Sequence, residues 1–326
     1  MERIVSNEGN NQDHEQETQL RPKSFSEFIG QPRVVENIDL MVKSAMVRKT
    51  AMDHVLLSGP PGLGKTSLAM LIAKSLGSEL HMVSGPAIEK KGDLAAVLTN
   101  LKPKDVLFID EIHRMHIIVE EILYSAMEDF RLDILIGQGA SARTMQIDLA
   151  PFTLIGATTR SGLLSNPLRD RFMAHLNFDF YEPEMIAVIL LNNAKKMGIE
   201  LSEEAKNQIA QRSRGTPRIA NRILRRVRDF ALVNGTTKVD HKAVTVALKL
   251  LDIDSLGLDS MDRKILNVMK KFYQGGPVGI DALSATLGED KQTIEEVYEP
   301  YLLKQGLILR TPRGRVLSDA AVIHMQ

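Results

Sequence analysis

The 326-residue sequence contains no cysteine. That excludes disulfide staples and thiolate metal sites, and it fits a reducing compartment. Net charge is also missing, because 41 Lys and Arg balance 41 Asp and Glu. Any affinity for nucleic acid must therefore come from local basic clusters rather than from global charge. No apolar run reaches the ~18 residues that a membrane-spanning helix needs. Residues 1–20 are rich in Asn, Gln and Glu and lack the apolar core of a signal peptide. No internal repeat of fixed period is visible. What the chain does have is an ordinary 44% hydrophobic content, ample for more than one core.

Residues 1–20 read as a disordered tail. Beyond Arg21, short apolar runs alternate with segments of helical spacing. The runs His54–Ser58, Val106–Ile109 and Thr153–Ala157 stop at glycine, at acidic residues or at threonine, and Thr66–Leu76 and Val119–Met127 carry the helical pattern between them. Buried strands alternating with helices predict a helix-covered parallel sheet, an α/β domain over residues 21–181. Leu132–Ile136 and Arg143–Ile147 flank Gly137 and Gly139, which predicts an inserted hairpin at about residues 131–148. After Tyr181 strand patterns vanish, and residues 182–252 read as a small α-helical domain. Asp252–Asp259 is polar, contains Gly257 and reads as a linker. Residues 255–326 give three helical patterns and then a short basic hairpin, the pattern of a winged helix.

Gly59–Thr66 (GPPGLGKT) fits G-x-x-x-x-G-K-[ST] between a predicted strand and a predicted helix. Glycines let the chain curl so that several backbone N–H groups converge on phosphate. The helix that follows turns its N-terminus towards the anion. In this motif Lys65 reaches the β- and γ-phosphates of ATP, and the Thr66 hydroxyl ligates Mg2+. The strand Val106–Ile109 runs into Asp110–Glu111. An acidic pair after a strand also suits a plain helix N-terminus. Beside a phosphate loop, Asp110 reads as the Mg2+-shell carboxylate and Glu111 as the group that polarises the attacking water.

Asp110–His113 (DEIH) resembles the same element in AAA+ and helicase-like ATPases. Taken with GATTR (Gly156–Arg160), LRDRF (Leu168–Phe172), GTPR (Gly215–Arg218), GGPVG (Gly275–Gly279) and RTPRGR (Arg310–Arg315), the chain resembles the RuvB family over residues 20–317. The resemblance implies an α/β P-loop AAA+ ATPase core, an α-helical lid domain and a C-terminal winged-helix domain. It implies a cytoplasmic ATP hydrolase and helicase, with ATP and Mg2+ as cofactors, that drives Holliday junction branch migration in recombination, DNA repair and the SOS response. It further implies a homo-hexamer around double-stranded DNA, working with RuvA through the 131–148 hairpin and within the RuvA-RuvB-RuvC resolvasome. The apolar residues of that hairpin, such as Ile134 and Met145, are consistent with a protein partner.

By the same resemblance Gly62, Leu63, Gly64, Lys65, Thr66 and Ser67 hold the nucleotide. Leu20, Arg21 and Tyr181 border the adenine, and Glu128, Asp129 and Phe130 lie close to the nucleotide. Thr159 is expected to sense the γ-phosphate and Arg218 to report nucleotide state. Arg171 or its neighbour Arg169 is the expected arginine finger, although Met173 stands where the family usually has glycine. His113 and His116 lack metal-ligand spacing and read as structural.

Two basic clusters remain. Arg218, Arg222, Arg225 and Arg226 fall near one helical face and read as subunit-interface and sensing residues. Arg310, Arg313 and Arg315 in the hairpin, with Lys291 heading a helix, are expected to hold DNA phosphates without reading bases. Lys291 replaces an arginine common in the family, so a point charge stands in for a fork. Two rivals are a clamp-loader-like remodelling ATPase that does not translocate DNA and a DNA-binding regulator for which nucleotide sets only conformation. The intact Asp110–Glu111 pair argues against the second.

Overall fold

The computed structural model describes residues 19–136 and 143–325. The predicted tail, up to residue 18, and the tip of the predicted hairpin lie outside the described residues. Leu20, counted with the tail, is buried. The described residues fall into two compact units: the chain up to Gly59 with Gly64–Asp179, and Pro60–Leu63 with Phe180 onward.

In the first unit, β1 (Val55–Ser58), β2 (Leu80–Ser84), β3 (Val106–Asp110), β6 (Thr153–Thr158) and β7 (Ala174–Asn177) form a five-stranded sheet in the order β2-β3-β6-β1-β7. Every pairing is parallel. β1 and β6 are buried at every position, as central strands covered on both faces must be. Around them pack α1 (Pro32–Arg48), α2 (Lys65–Leu76), α3 (Lys91–Thr99), α4 (Ile117–Glu128) and the short α5 (Asn166–Arg169). One apolar cluster joins Leu56, Leu107, Ile109 and Leu154 of the strands to Leu94, Leu98, Val119 and Leu123 of α3 and α4. β4 (Arg131–Ile136) and β5 (Arg143–Asp148) pair antiparallel as a separate hairpin. The sequence pattern did not reveal β7. Its Ala-His-Leu-Asn segment is an edge strand with only Leu176 buried, so it has no continuous apolar run.

The second unit contains α6 (Pro183–Lys196), α7 (Glu203–Arg212), α8 (Pro217–Val233) and α9 (His241–Leu250). Ser202 and Asp240 cap α7 and α9 by accepting from Ala205 N and Ala243 N. A two-residue parallel pair, β8 (Glu200–Leu201) with β9 (Lys238–Val239), is too short to leave a sequence pattern. Next come α10 (Ser260–Tyr273), α11 (Ile280–Leu287) and α12 (Lys291–Thr293), which runs through a π-helical stretch, Ile294–Tyr298, into α13 (Glu299–Lys304). The hairpin β10 (Ile308–Thr311) and β11 (Gly314–Leu317) follows, then α14 (Asp319–His324). Leu258, Ile265, Leu266, Met269, Leu283, Leu302 and Ile308 form the core of this last part.

The segment that read as a linker is held in place. Arg214 is buried and has a left-handed φ of 55°. Its Nε donates to Gly257 O at 2.8 Å, its Nη2 pairs with Asp262 and, at 2.9 Å, with Asp259, and its guanidinium lies 5.3 Å from the Tyr301 ring centre. Asp259 and Asp262 also cap α10 reciprocally. One guanidinium thus serves two carboxylates. Burial pushes Asp262 up to about 7, against the pull of Arg214 and with the help of Asp259. The folded value lies above the ordinary 3.8. The folded unit therefore keeps a proton that the unfolded chain releases, and stability is lost as pH rises through about 7. We expect urea unfolding to show wild type losing stability relative to Asp262→Asn between about pH 5 and pH 8. Parallel behaviour of the two proteins across that range would show that Asp262 does not hold the proton.

Candidate functional site

The parallel register brings chemistry to one edge of the sheet. Ser58 pairs with Thr158, and Ser84 with Asp110, so the C-terminal ends of β1, β3 and β6 lie together. From β1 the chain turns at Gly59, whose φ is 134° and whose N–H donates to Thr158 O at 3.1 Å. A Cβ on Gly59 would lie 2.4 Å from Phe178 O, so only glycine fits. Gly64 (φ 109°) caps α2, and Lys65 and Thr66 occupy its first turn. Lys65 is buried, with Nζ donating to Gly59 O at 2.6 Å. The ammonium is thus drawn across the turn towards its start. Ser67 is half-buried in the same helical turn.

At the end of β3, Asp110 Oδ1 accepts from Glu111 N at 3.0 Å. Among the described residues its second oxygen makes no hydrogen bond. A free carboxylate oxygen and the Thr66 hydroxyl are hard oxygen donors of the kind Mg2+ takes. Glu111 has a left-handed φ of 50°. Its Oε2 lies 3.5 Å from Thr159 Oγ1 and 3.4 Å from His113 Nδ1. His113 Nδ1 is also 2.9 Å from Thr158 Oγ1. Thr159 and Glu111, both expected at the nucleotide, are thus brought together at this edge. His113, which read as structural, belongs to the same cluster. His116 is exposed at the start of α4.

Gly85 was not singled out in the sequence. A Cβ there would lie 2.4 Å from Glu111 O. Its bare backbone lets Glu111 take its left-handed turn. A glycine after an edge strand gives no motif, so only the packing reveals it.

The expected finger stands at the opposite edge. Met173 N donates to His54 O at 3.0 Å, just before β1 and β7 begin to pair at Val55 and Ala174. Arg171 Nη2 donates to Glu128 at 2.8 Å, Nη1 to Pro167 O at 2.6 Å and Nε to Tyr124 O at 3.2 Å, and the guanidinium stacks 4.7 Å from the Tyr124 ring centre. Arg169 Nη2 donates to Asn166 Oδ1 at 3.1 Å. Of the pair, Arg171 is the one held in a fixed geometry. Glu128, Asp129 and Phe130 lie with it at this edge. Phe130 packs edge-on to Phe152 at 5.9 Å and beside His54 at 6.3 Å. His54 Nδ1 accepts from Leu154 N, which leaves Nε2 to donate to Met127 O at 3.1 Å. Burial lowers its pKa, consistent with a neutral ring. At ~3.3 Å per residue, the four residues of β1 put roughly 13 Å between this cluster and the Lys65 turn. Glu128–Phe130 therefore stand away from the Lys65 turn of their own chain.

The remaining expected residues divide between the units. In the first, Leu20 is buried and Arg21 lies against α2, its Nη1 2.8 Å from Met70 Sδ. In the second, Tyr181 donates to Leu63 O at 3.0 Å. Arg218 N donates to Gly62 O at 3.4 Å, and a Cβ on Gly62 would lie 2.9 Å from Arg218 Cβ. Tyr181 and Arg218 thus meet the phosphate turn through its Pro60–Leu63 segment. Arg218 and Arg222 are exposed on α8, opposite the buried Ile223, Leu224 and Val227.

In the C-terminal hairpin Arg313 is exposed, and Lys291 is exposed with Nζ 3.3 Å from Asp281. Arg310 and Arg315 are cross-strand partners. Arg315, expected among the phosphate contacts, is turned inward instead and is only 9% exposed. Two guanidiniums side by side repel, and both are drawn onto the buried Glu299.

A parallel sheet with a phosphate loop after β1, an acidic pair after β3 and a polar threonine after β6 defines a P-loop ATPase of the AAA+ class. Family models match nearly all of the described chain. "Holliday junction DNA helicase RuvB P-loop domain" covers residues 20–178, "RuvB AAA lid domain" 181–254 and "RuvB C-terminal winged helix domain" 255–326. The chain belongs to the RuvB family. It is 54% identical over 314 residues to a protein of Granulibacter bethesdensis described as Holliday junction branch migration complex subunit RuvB, covering 96% of this chain and 88% of that one. A protein of the same description from Kosmotoga olearia is 55% identical over 306 residues, covering 94% and 90%. The solved RuvB Holliday junction branch migration motor of Thermotoga maritima superposes with a TM-score of 0.88 at 50% identity, covering 94% of this chain and 98% of that one.

Gly85→Ala should slow steady-state ATP hydrolysis at least tenfold while leaving nucleotide affinity within about threefold, because it displaces Glu111 and leaves the Lys65 turn intact. Equal losses in hydrolysis and affinity, read by kcat and by fluorescent-nucleotide titration, would contradict the assignment.

Proposed function

We propose that this chain is the motor of Holliday junction branch migration, an ATP hydrolase that moves double-stranded DNA as a homo-hexameric ring. The observation that carries this reading is the split of the hydrolytic groups between two edges of one sheet. Lys65, Thr66, Asp110, Glu111 and Thr159 lie at the C-terminal edge, and Arg171 with Glu128 lies at the other. A single subunit cannot bring both sets to one phosphate, whereas neighbouring subunits in a ring can.

In this reading Gly62–Ser67 hold the ATP phosphates, with Leu20, Arg21 and Tyr181 around the adenine. Lys65 offsets charge on the β- and γ-phosphates. Mg2+, held through Thr66 and Asp110, would neutralise the phosphate oxygens. Glu111 orients the attacking water and takes up its proton, while Thr159 and His113 keep that carboxylate aimed. Arg171 reaches the γ-phosphate of the adjacent subunit, Glu128, Asp129 and Phe130 border that nucleotide, and Arg169 supports the loop. Arg218 reports nucleotide state.

The domains proposed are residues 21–181 for the ATPase core, 182–252 for the lid and 255–326 for the winged helix. Lys291, Arg310 and Arg313 meet DNA phosphates without base readout, as a motor indifferent to sequence requires, and the buried Arg315 lies behind them on Glu299. The 131–148 hairpin is proposed to dock RuvA, and through it the resolvasome with RuvC, in the cytoplasm.

Glu111→Gln should keep ATP binding and lose hydrolysis by about a hundredfold or more. Lys65→Ala and Arg171→Ala subunits, each inactive alone, should regain hydrolysis when mixed, because a ring then contains sites with one intact copy of each group. Mixtures no more active than their parts would show that Arg171 does not act across a subunit boundary.

A further inference from the structure

The Glu299 carboxylate is 2% exposed and accepts four hydrogen bonds from two arginines. Oε1 takes Arg310 Nε at 2.8 Å and Arg315 Nε at 2.9 Å. Oε2 takes Arg310 Nη2 at 2.8 Å and Arg315 Nη2 at 3.0 Å. Each guanidinium therefore presents the same side-on fork to one carboxylate. The second carboxylate, Glu295, accepts from Arg315 Nη2 at 2.9 Å but lies 3.9 Å from Arg310. Burial alone would raise the pKa of Glu299, but the hydrogen bonds and charges of Arg310 and Arg315 outweigh it and hold the group ionised.

The local sequence explains how this carboxylate comes to be there. Pro300 has no N–H to return to the carbonyl of Glu296, and the turn before it opens into the π-helical stretch Ile294–Tyr298. The widened turn sets Glu295 and Glu299 on the face that meets β10 and β11.

The two arginines are left in different states. The Arg315 side chain is 11% exposed, and its Nη2 serves both carboxylates. The Arg310 side chain is 56% exposed, and among the described residues its Nη1 makes no hydrogen bond. A guanidinium has two bidentate edges. Glu299 occupies the side-on edge of Arg310 and leaves the end-on edge to solvent, fixed in direction.

We propose that Glu299 is a positioning residue for DNA binding, a buried carboxylate that aims the end-on edge of Arg310 at a backbone phosphate while Arg315 holds the carboxylate in place. This rests on the proposed DNA contact by the hairpin. It also reverses the naive electrostatic expectation. An acidic residue under a DNA-binding surface should weaken binding through its charge. As a positioning group it strengthens binding, because a fork fixed in advance loses less entropy on meeting phosphate.

The test uses the full chain and a short fluorescent duplex of arbitrary sequence, titrated over a range of salt concentrations. Glu299→Gln is expected to bind about tenfold more weakly, with the salt slope reduced by about one contact. Glu295→Gln removes the same charge without touching the Arg310 fork and is expected to bind as well as wild type or better. Backbone amide exchange at Arg315 and Leu317, which donate to Val278 O and Gly275 O, should stay protected in Glu299→Gln. Loss of that protection together with the affinity would reduce Glu299 to a structural role and overturn the proposal, as would tighter binding by Glu299→Gln. Arg310→Lys disturbs only an exposed side chain and keeps the charge. It is expected to lose nearly as much affinity as Arg310→Ala, and wild-type affinity in it would also overturn the proposal. Unchanged affinity in Arg310→Ala would instead refute the DNA contact itself.

Discussion

A polyphosphate can be held only where several backbone N–H groups, an ammonium and a metal-ligating carboxylate converge, and in this chain the parallel register of β1, β3 and β6 creates that convergence. With Ser58 opposite Thr158 and β3 ending beside them, the glycine turn, Asp110–Glu111 and Thr159 all leave the sheet at one edge. Because central strands buried on both faces admit few polar side chains, the chemistry is pushed out to the strand ends. The left-handed turn at Glu111, made possible by the bare backbone of Gly85, then brings the carboxylate to Thr159 and His113.

The same register sends Arg171 the other way. It precedes the edge strand β7, so it emerges where the strands begin, locked by Glu128, Pro167 and Tyr124. In the proposed ring, hydrolysis is a property of a subunit pair, with Arg171 of one subunit at the nucleotide of its neighbour. In the second unit, Arg214 ties the start of the Arg218 helix to Gly257 and to the cap of α10. α8 is therefore tied to the winged-helix part by the contacts of Arg214 rather than by a slack linker.

Much of this was legible in the sequence because the chemistry leaves a local trace. GPPGLGKT, the apolar run into Asp110–Glu111 and the shift from strand to helix texture after Tyr181 each follow from short-range constraints on backbone or burial. Features set by distant pairings were not legible. β7 is an edge strand without an apolar run, and Gly85 matters only through a backbone that approaches from Glu111. Glu299 sits in a plain acidic stretch, and nothing local says that its carboxylate will take two arginine forks. His113 read as structural because its spacing suggested no metal, whereas its partners are Glu111, just after β3, and Thr158, at the end of β6. Arg315 read as a phosphate contact from its place in the basic hairpin, where its burial against its cross-strand neighbour and Glu299 leaves no local trace.

The central claim is that this sheet edge drives movement of DNA rather than a change in a protein partner alone. The most direct measurement is branch migration on a synthetic four-way junction, with RuvA, ATP and Mg2+, comparing wild type with Lys65→Ala. Wild type is expected to exchange strands only with ATP, and the variant is expected not to exchange them. Vigorous ATP hydrolysis by wild type with a stationary junction would contradict the claim and would make the chain a remodelling switch.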